Sequence, residues 1–132
     1  MIGKLRASRG FTFIEMVMVI MILTILVGIA IPVYQAQIRA SKESVLEHNL
    51  ATLRDRIDQY KADKGTYPPS LDALVEAGYL REIPEDPMRG SHEWEEIFAE
   101  FDPEQPEVEP GVYDVRSFSP EMGMDGRPYS EW

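Results

Sequence analysis

Between Phe11 and Tyr34 the chain reads FTFIEMVMVIMILTILVGIAIPVY, an apolar run that carries one charge, Glu15. From Met16 to Ile31 only Thr24 and Gly28 are not strongly apolar. A helix of that length spans about 36 Å, enough to cross a hydrocarbon core of about 30 Å. Beyond it the pattern changes. Leu46, Leu50, Leu53, Ile57 and Tyr60 recur at spacings of 4, 3, 4 and 3, an apolar stripe on a charged helix. The other face carries Lys42, Glu43, Glu47, Arg54, Asp55, Asp58 and Lys61. Gly65 follows Asp63-Lys64 as a C-terminal stop. The pattern therefore predicts one helix from about Phe11 to Lys64. Pro32 lies inside it, removes a backbone bond, and should kink or loosen it near Gly28 to Pro32.

After Thr66-Tyr67-Pro68-Pro69, Ser70 reads as the N-cap of a short helix, Leu71 to Ala77, ended by Gly78. Leu71, Leu74 and Val75 are expected to pack on the long helix, with Tyr67, Tyr79 and Leu80 beside them. From Glu82 to Glu109 there are eleven acids and one base, Arg89, which predicts a solvated, mobile loop around a short Trp94–Phe101 segment. Val112 to Phe118 alternates and reads as a strand. In the turn-rich tail, Tyr129 and Trp132 are expected to pin the chain end by packing. The fold class is α+β: a long N-terminal helix on a small head with a short helix and a small antiparallel sheet.

Charge sharpens this reading. The chain has 132 residues with 13 Lys+Arg against 23 Asp+Glu, a formal −10. Lys4, Arg6 and Arg9 fall in the first ten residues, with no acid among them; without those three cations the balance is 10 to 23, or −13. That sign argues against nucleic acid, whose phosphates need a basic surface. No cysteine is present, so neither a disulfide nor a thiolate ligand can support the head, which must draw stability from a bound metal or from packing.

A cleaved secretory signal would have a shorter apolar stretch, about 7–15 residues, and a small-residue exit. This one is longer and runs into Pro-Val-Tyr-Gln-Ala-Gln and a helix, so it reads as retained. The cations before it keep the N-terminus cytoplasmic and place the rest outside. Four segments result: a basic leader, 1–10; a transmembrane and assembly helix, 11–34; an amphipathic helix, 35–64; and an extracytoplasmic head, 65–132.

Arg9-Gly10-Phe11-Thr12-Phe13-Ile14-Glu15, with the basic leader and the Ala30-Ile31-Pro32-Val33-Tyr34 ending, resembles the class III signal of type IV pilins and type II secretion pseudopilins. The resemblance covers roughly residues 4 to 34. It implies that a membrane-embedded prepilin peptidase cuts between Gly10 and Phe11 and N-methylates Phe11. Glycine at the junction suits an extended fit in a protease cleft. A carboxylate inside hydrocarbon is costly and is a functional candidate by default. The resemblance implies that Glu15 of one subunit meets the new Phe11 ammonium of another, which would set the register of a filament. It also implies that the Pro32 region melts when the subunit leaves the membrane. Its partners would be identical subunits, minor pseudopilins and an inner-membrane assembly platform.

Gly65-Thr66-Tyr67-Pro68 and Gly78-Tyr79-Leu80 through Pro84-Glu85-Asp86-Pro87 resemble the G-type major pseudopilin of type II secretion. Tyr113 to Ser117 and Gly123-Met124-Asp125-Gly126 resemble that group's terminal loop, which implies calcium held by Asp114, Glu121 and Asp125 with nearby carbonyls. Here Phe118 to Met122 look inserted, and Arg127 to Trp132 replace the usual acidic ending. The function expected is a secretion pseudopilus subunit. A type IV pilus subunit and a non-polymerising anchored binding domain are the alternatives. An enzyme is not expected: His48 and His92 are the two histidines, and His92-Glu93-Trp94-Glu95-Glu96 lacks the second histidine of a zinc-protease helix.

Overall fold

The computed structural model describes Gly3 and residues 9–132. The leader cations Lys4 and Arg6 lie outside the described residues. Five elements follow in order: α1 (Phe13–Lys64), α2 (Leu71–Glu76), β1 (Glu95–Phe98), β2 (Val112–Arg116) and a closing 3₁₀ turn, Tyr129–Glu131. The chain divides into two compact units, residues 1–38 and 39–132.

Helix α1 runs for 52 residues without a break at Pro32. Pro32 lacks an N–H, so the Gly28 carbonyl loses its usual donor. The helix nevertheless continues through this turn, and the expected loosening near Gly28 to Pro32 is not seen as a gap in it. In residues 13–38 the apolar side chains stay open on every side. Met16 is 46% exposed, Ile25 53% and Val33 65%, with nothing among the described residues to cover them. Thr24, the polar exception, turns its hydroxyl back onto the Ile20 carbonyl at 2.8 Å and so carries its own partner through the apolar stretch.

In the second unit the predicted stripe is the core. Leu46, Leu50, Leu53 and Ile57 are buried, and Leu71 and Leu74 of α2 join them with Trp94, Val112, Val115 and Tyr129. Val75 is only half-buried. The Ser70 hydroxyl accepts the Ala73 amide at 3.3 Å, as its place before α2 predicts. Gly65 and Gly78 close the two helices with positive φ, 78° and 83°.

The acidic segment is more ordered than its composition predicts. Trp94 is buried and donates its indole N–H to the Pro84 carbonyl at 2.8 Å, and the next residues form β1. β1 pairs with β2 antiparallel, Glu95 opposite Arg116 and Ile97 opposite Asp114. A bulge follows, because Phe98 pairs with Val112 and leaves Tyr113 as the extra residue. That extra residue puts Val112 and Val115, three apart, into the same core. Residues 100–110, between the strands, are all exposed, as their charge predicts.

β2 ends at Arg116 rather than at Phe118 because Ser117 turns inward. Its hydroxyl donates to the buried Asp86 carboxylate at 2.5 Å, while Asp86 also accepts the Met88 amide at 2.9 Å. Those bonds let a carboxylate sit in the interior, where an unpartnered one would be costly.

Candidate processing and assembly site

The junction lies just before α1. Gly10, Phe11 and Thr12 are exposed and non-helical, and the first helical bond runs from the Met16 amide to the Thr12 carbonyl at 3.2 Å. The helix thus starts two residues later than the apolar run suggests, with Thr12 as its cap. The Thr12 hydroxyl accepts the Glu15 amide at 3.3 Å, and the Glu15 carboxylate accepts the Thr12 amide at 2.9 Å. This reciprocal pair is a capping box, and Thr-x-x-Glu is its sequence signature. It fixes Glu15 one turn from the junction and gives the carboxylate one partner within its own chain. Sequence reasoning assigned Glu15 a role but missed Thr12, although the spacing was there to be read.

A Cβ built on Gly10 meets nothing within 4 Å, and Gly10 has no positive φ. The fold itself therefore does not require glycine there; a reason must come from whatever binds the junction. Phe11 is 79% exposed and presents the peptide bond between Gly10 and Phe11 to solvent. Pro32 lies 17 residues beyond Glu15 on the same helix, about 25 Å away. Gly10, Phe11 and Glu15 are therefore close together, and Pro32 is remote from them.

The candidate calcium residues are placed differently. Asp114 on β2 faces Arg54 of α1, which donates to its Oδ1 at 2.7 Å. Asp125 accepts the Arg127 amide at 2.9 Å and pairs with the Arg127 guanidinium at 2.9 Å; the amide bond and then the guanidinium hold its carboxyl below the usual range. Glu121 is exposed, and its carbonyl accepts the Tyr129 amide at 2.9 Å. Among the described residues no three His, Cys, Asp or Glu side chains gather as a metal-holding group, so Asp114, Glu121 and Asp125 are not brought together.

Instead, α1 fastens the tail. Glu43 accepts the Tyr129 hydroxyl at 2.7 Å and the Met124 amide at 2.8 Å, and Arg39 donates to the Met122 carbonyl. Tyr129 is buried and stacks edge-on against Trp132, with centroids 5.1 Å apart; burial raises its phenol pKa. Glu43 and Arg54, assigned by the stripe to the solvent face, are therefore turned to the tail.

Residues 5–31 match the family model described as "Prokaryotic N-terminal methylation motif". Over 104 aligned residues the chain is 30% identical to the type II secretion system core protein G of Dickeya chrysanthemi, covering 67% of this chain and 68% of that protein. The chain belongs to the type II secretion system core protein G family. The family assignment extends over the head as well: the core protein G of Aeromonas hydrophila is 28% identical over 137 aligned residues, 92% of this chain and 86% of that protein. The core protein G of Escherichia coli K12 is 28% identical across 89% of this chain and 87% of that protein. No solved structure matches significantly. The core protein G family is one of pilin-like subunits, and its methylation motif here coincides with the capped junction and the open apolar helix.

Proposed function

We propose that this chain is a structural, non-enzymatic subunit of a type II secretion filament, processed at the Gly10–Phe11 bond and polymerised through the first part of α1. Prepilin peptidase adds water across that bond, leaving a carboxyl on Gly10 and an amine on Phe11. A methyl group from a sulfonium donor then replaces one proton on that amine, which keeps its positive charge. The apolar stretch holds the precursor in the inner membrane, with the leader cytoplasmic and the head periplasmic. Identical subunits, minor pseudopilins and an inner-membrane platform are its assembly partners, and the growing filament drives proteins across the outer membrane.

The observation that carries this reading is the placement of Glu15. It is the one charge in an apolar helix whose side chains are open on every side, and it stands one turn from the junction. In lipid its carboxylate is poorly solvated, and the Thr12 amide supplies a neutral partner only. The Phe11 ammonium of an adjacent copy supplies a full opposite charge, available only after cleavage and only at one stagger. Removal of the leader thus becomes a condition for assembly. The names of the relatives favour secretion over a type IV pilus.

Intact-mass analysis of the membrane-extracted protein tests the reading. A chain starting at N-methylated Phe11 is expected. A chain that keeps Met1, or starts at another residue, removes the ammonium and the polymer reading with it.

A further inference from the structure

The G-type resemblance implies calcium in the terminal loop, and the residues present do not fit it. Calcium requires six to eight oxygens around one point. Here two of the three candidate carboxylates are already paired with arginine, and the three do not converge.

Arg54 of α1 instead binds oxygens of β2 and of the tail. Its Nε donates to Asp114 Oδ1 at 2.7 Å, and its Nη2 donates to the Val115 carbonyl at 3.0 Å and to the Trp132 carbonyl at 2.7 Å. One cation on α1 therefore collects the Asp114 carboxylate and the main-chain oxygens of Val115 and Trp132, the oxygen types calcium uses, from β2 and from the tail. A guanidinium is suited to this because its donors are fixed in a plane and it stays charged at all working pH values. Arg39, Glu43 and Arg54 are spaced by 4 and 11 residues, which returns them to nearly the same side of the helix. All three hold residues of the 122–132 segment.

We infer that the Arg54 guanidinium replaces the calcium ion, so that the terminal loop closes on α1 without any metal. The inference concerns the folding of residues 39–132 and stands whether or not the chain polymerises.

The test uses the full chain in detergent micelles, titrated with calcium chloride or a calcium chelator. The two tryptophans, Trp94 and Trp132, both lie in the head and report its unfolding by fluorescence. A site filled at a hundred times its Kd multiplies the folded-to-unfolded ratio about a hundredfold, which raises Tm by at least about 10 °C in a domain of this size. The expected wild-type Tm is the same in calcium and in chelator. Arg54→Ala is expected to lower Tm, equally in both solutions. A calcium-dependent rise of about 10 °C in the wild type overturns the inference. So does an Arg54→Ala chain with unchanged Tm. If Arg54→Ala does not fold, Asp114→Asn, which retains shape and one acceptor oxygen, is expected to give a smaller loss in the same direction. A Tm for that variant equal to wild type overturns the inference as well.

Discussion

Replacing Glu15 by glutamine separates two roles its carboxylate can play. In the folded chain it accepts the Thr12 amide at 2.9 Å and completes a helix cap, a feature worth about 1 kcal/mol. Glutamine offers an oxygen to the same N–H, so the capping box survives; alanine removes it. The charge is a separate quantity. Opposite unit charges 4 Å apart attract by about 1 kcal/mol in water and about 4 kcal/mol at an effective dielectric constant of 20. Losing that pair lowers the constant for adding a subunit by between about fivefold and several hundredfold. The neutral amide is also cheaper than a carboxylate to leave unpaired in lipid, so the drive to assemble falls further. The assay has two readings: intact mass for processing, and the amount of chain in sheared, pelleted filaments for assembly. Both Glu15→Gln and Glu15→Ala are expected to start at residue 11 and to yield few filaments, with Gln close to Ala. If Glu15→Gln assembles like the wild type while Glu15→Ala fails, the carboxylate serves as a cap and the charge-pairing argument is refuted.

Gly10→Ala is expected to leave the chain at full length on a gel with an unaltered fold, because a Cβ there meets open space; normal processing of this variant would show that the junction does not need glycine. Leu53→Ala removes a fully buried side chain at the centre of the stripe and is expected to cost about 2–5 kcal/mol, read as a lower Tm of the tryptophan transition. Gly111→Ala is expected to destabilise by about 1–3 kcal/mol, since its Cβ would lie 2.5 Å from the Tyr67 backbone oxygen. Asp125, whose carboxyl is held below its usual 3.8, adds stability to the tail above that pH, and the contribution is lost as pH falls below it. Trp132 fluorescence should therefore change on acidification below about 3.8, and Asp125→Asn should abolish that component.

The helices were legible because their signals are local. The stripe from Leu46 to Ile57 is buried as its spacing predicts, Ser70 caps α2, and Gly65 and Gly78 end their helices with positive φ. The strands were half-legible for a physical reason. Val112 and Val115 are three apart, so no period-2 reading puts both inside; the bulge at Tyr113 does, and a bulge depends on the partner strand. Glu95 to Phe98 sat in a run of acids whose composition predicts a solvated loop. Burial of the neighbouring Trp94, anchored to Pro84, outweighs that composition and orders the segment.

The junction and the tail differ in the same way. Gly10, Phe11, Thr12 and Glu15 lie within six consecutive residues, so their arrangement is local and follows from sequence alone, the capping box included. The bonds that hold the tail span 60 to 90 residues of separation, as between Arg54 and Asp114 or Arg39 and Tyr129. A charged residue beside an apolar stripe reads as solvent-facing because nothing local says what will arrive to meet it. Arg54 directly follows Leu53 and sits one turn from Leu50, at the edge of the buried face. A side chain placed there can reach water or lie along the next layer, and the choice belongs to the tail. In a head without cysteine, closing that tail requires bonds from side chains of this kind. The charged residues flanking the stripe of α1 are therefore where its stability is to be sought, and a reading that assigns every charge to solvent will miss them.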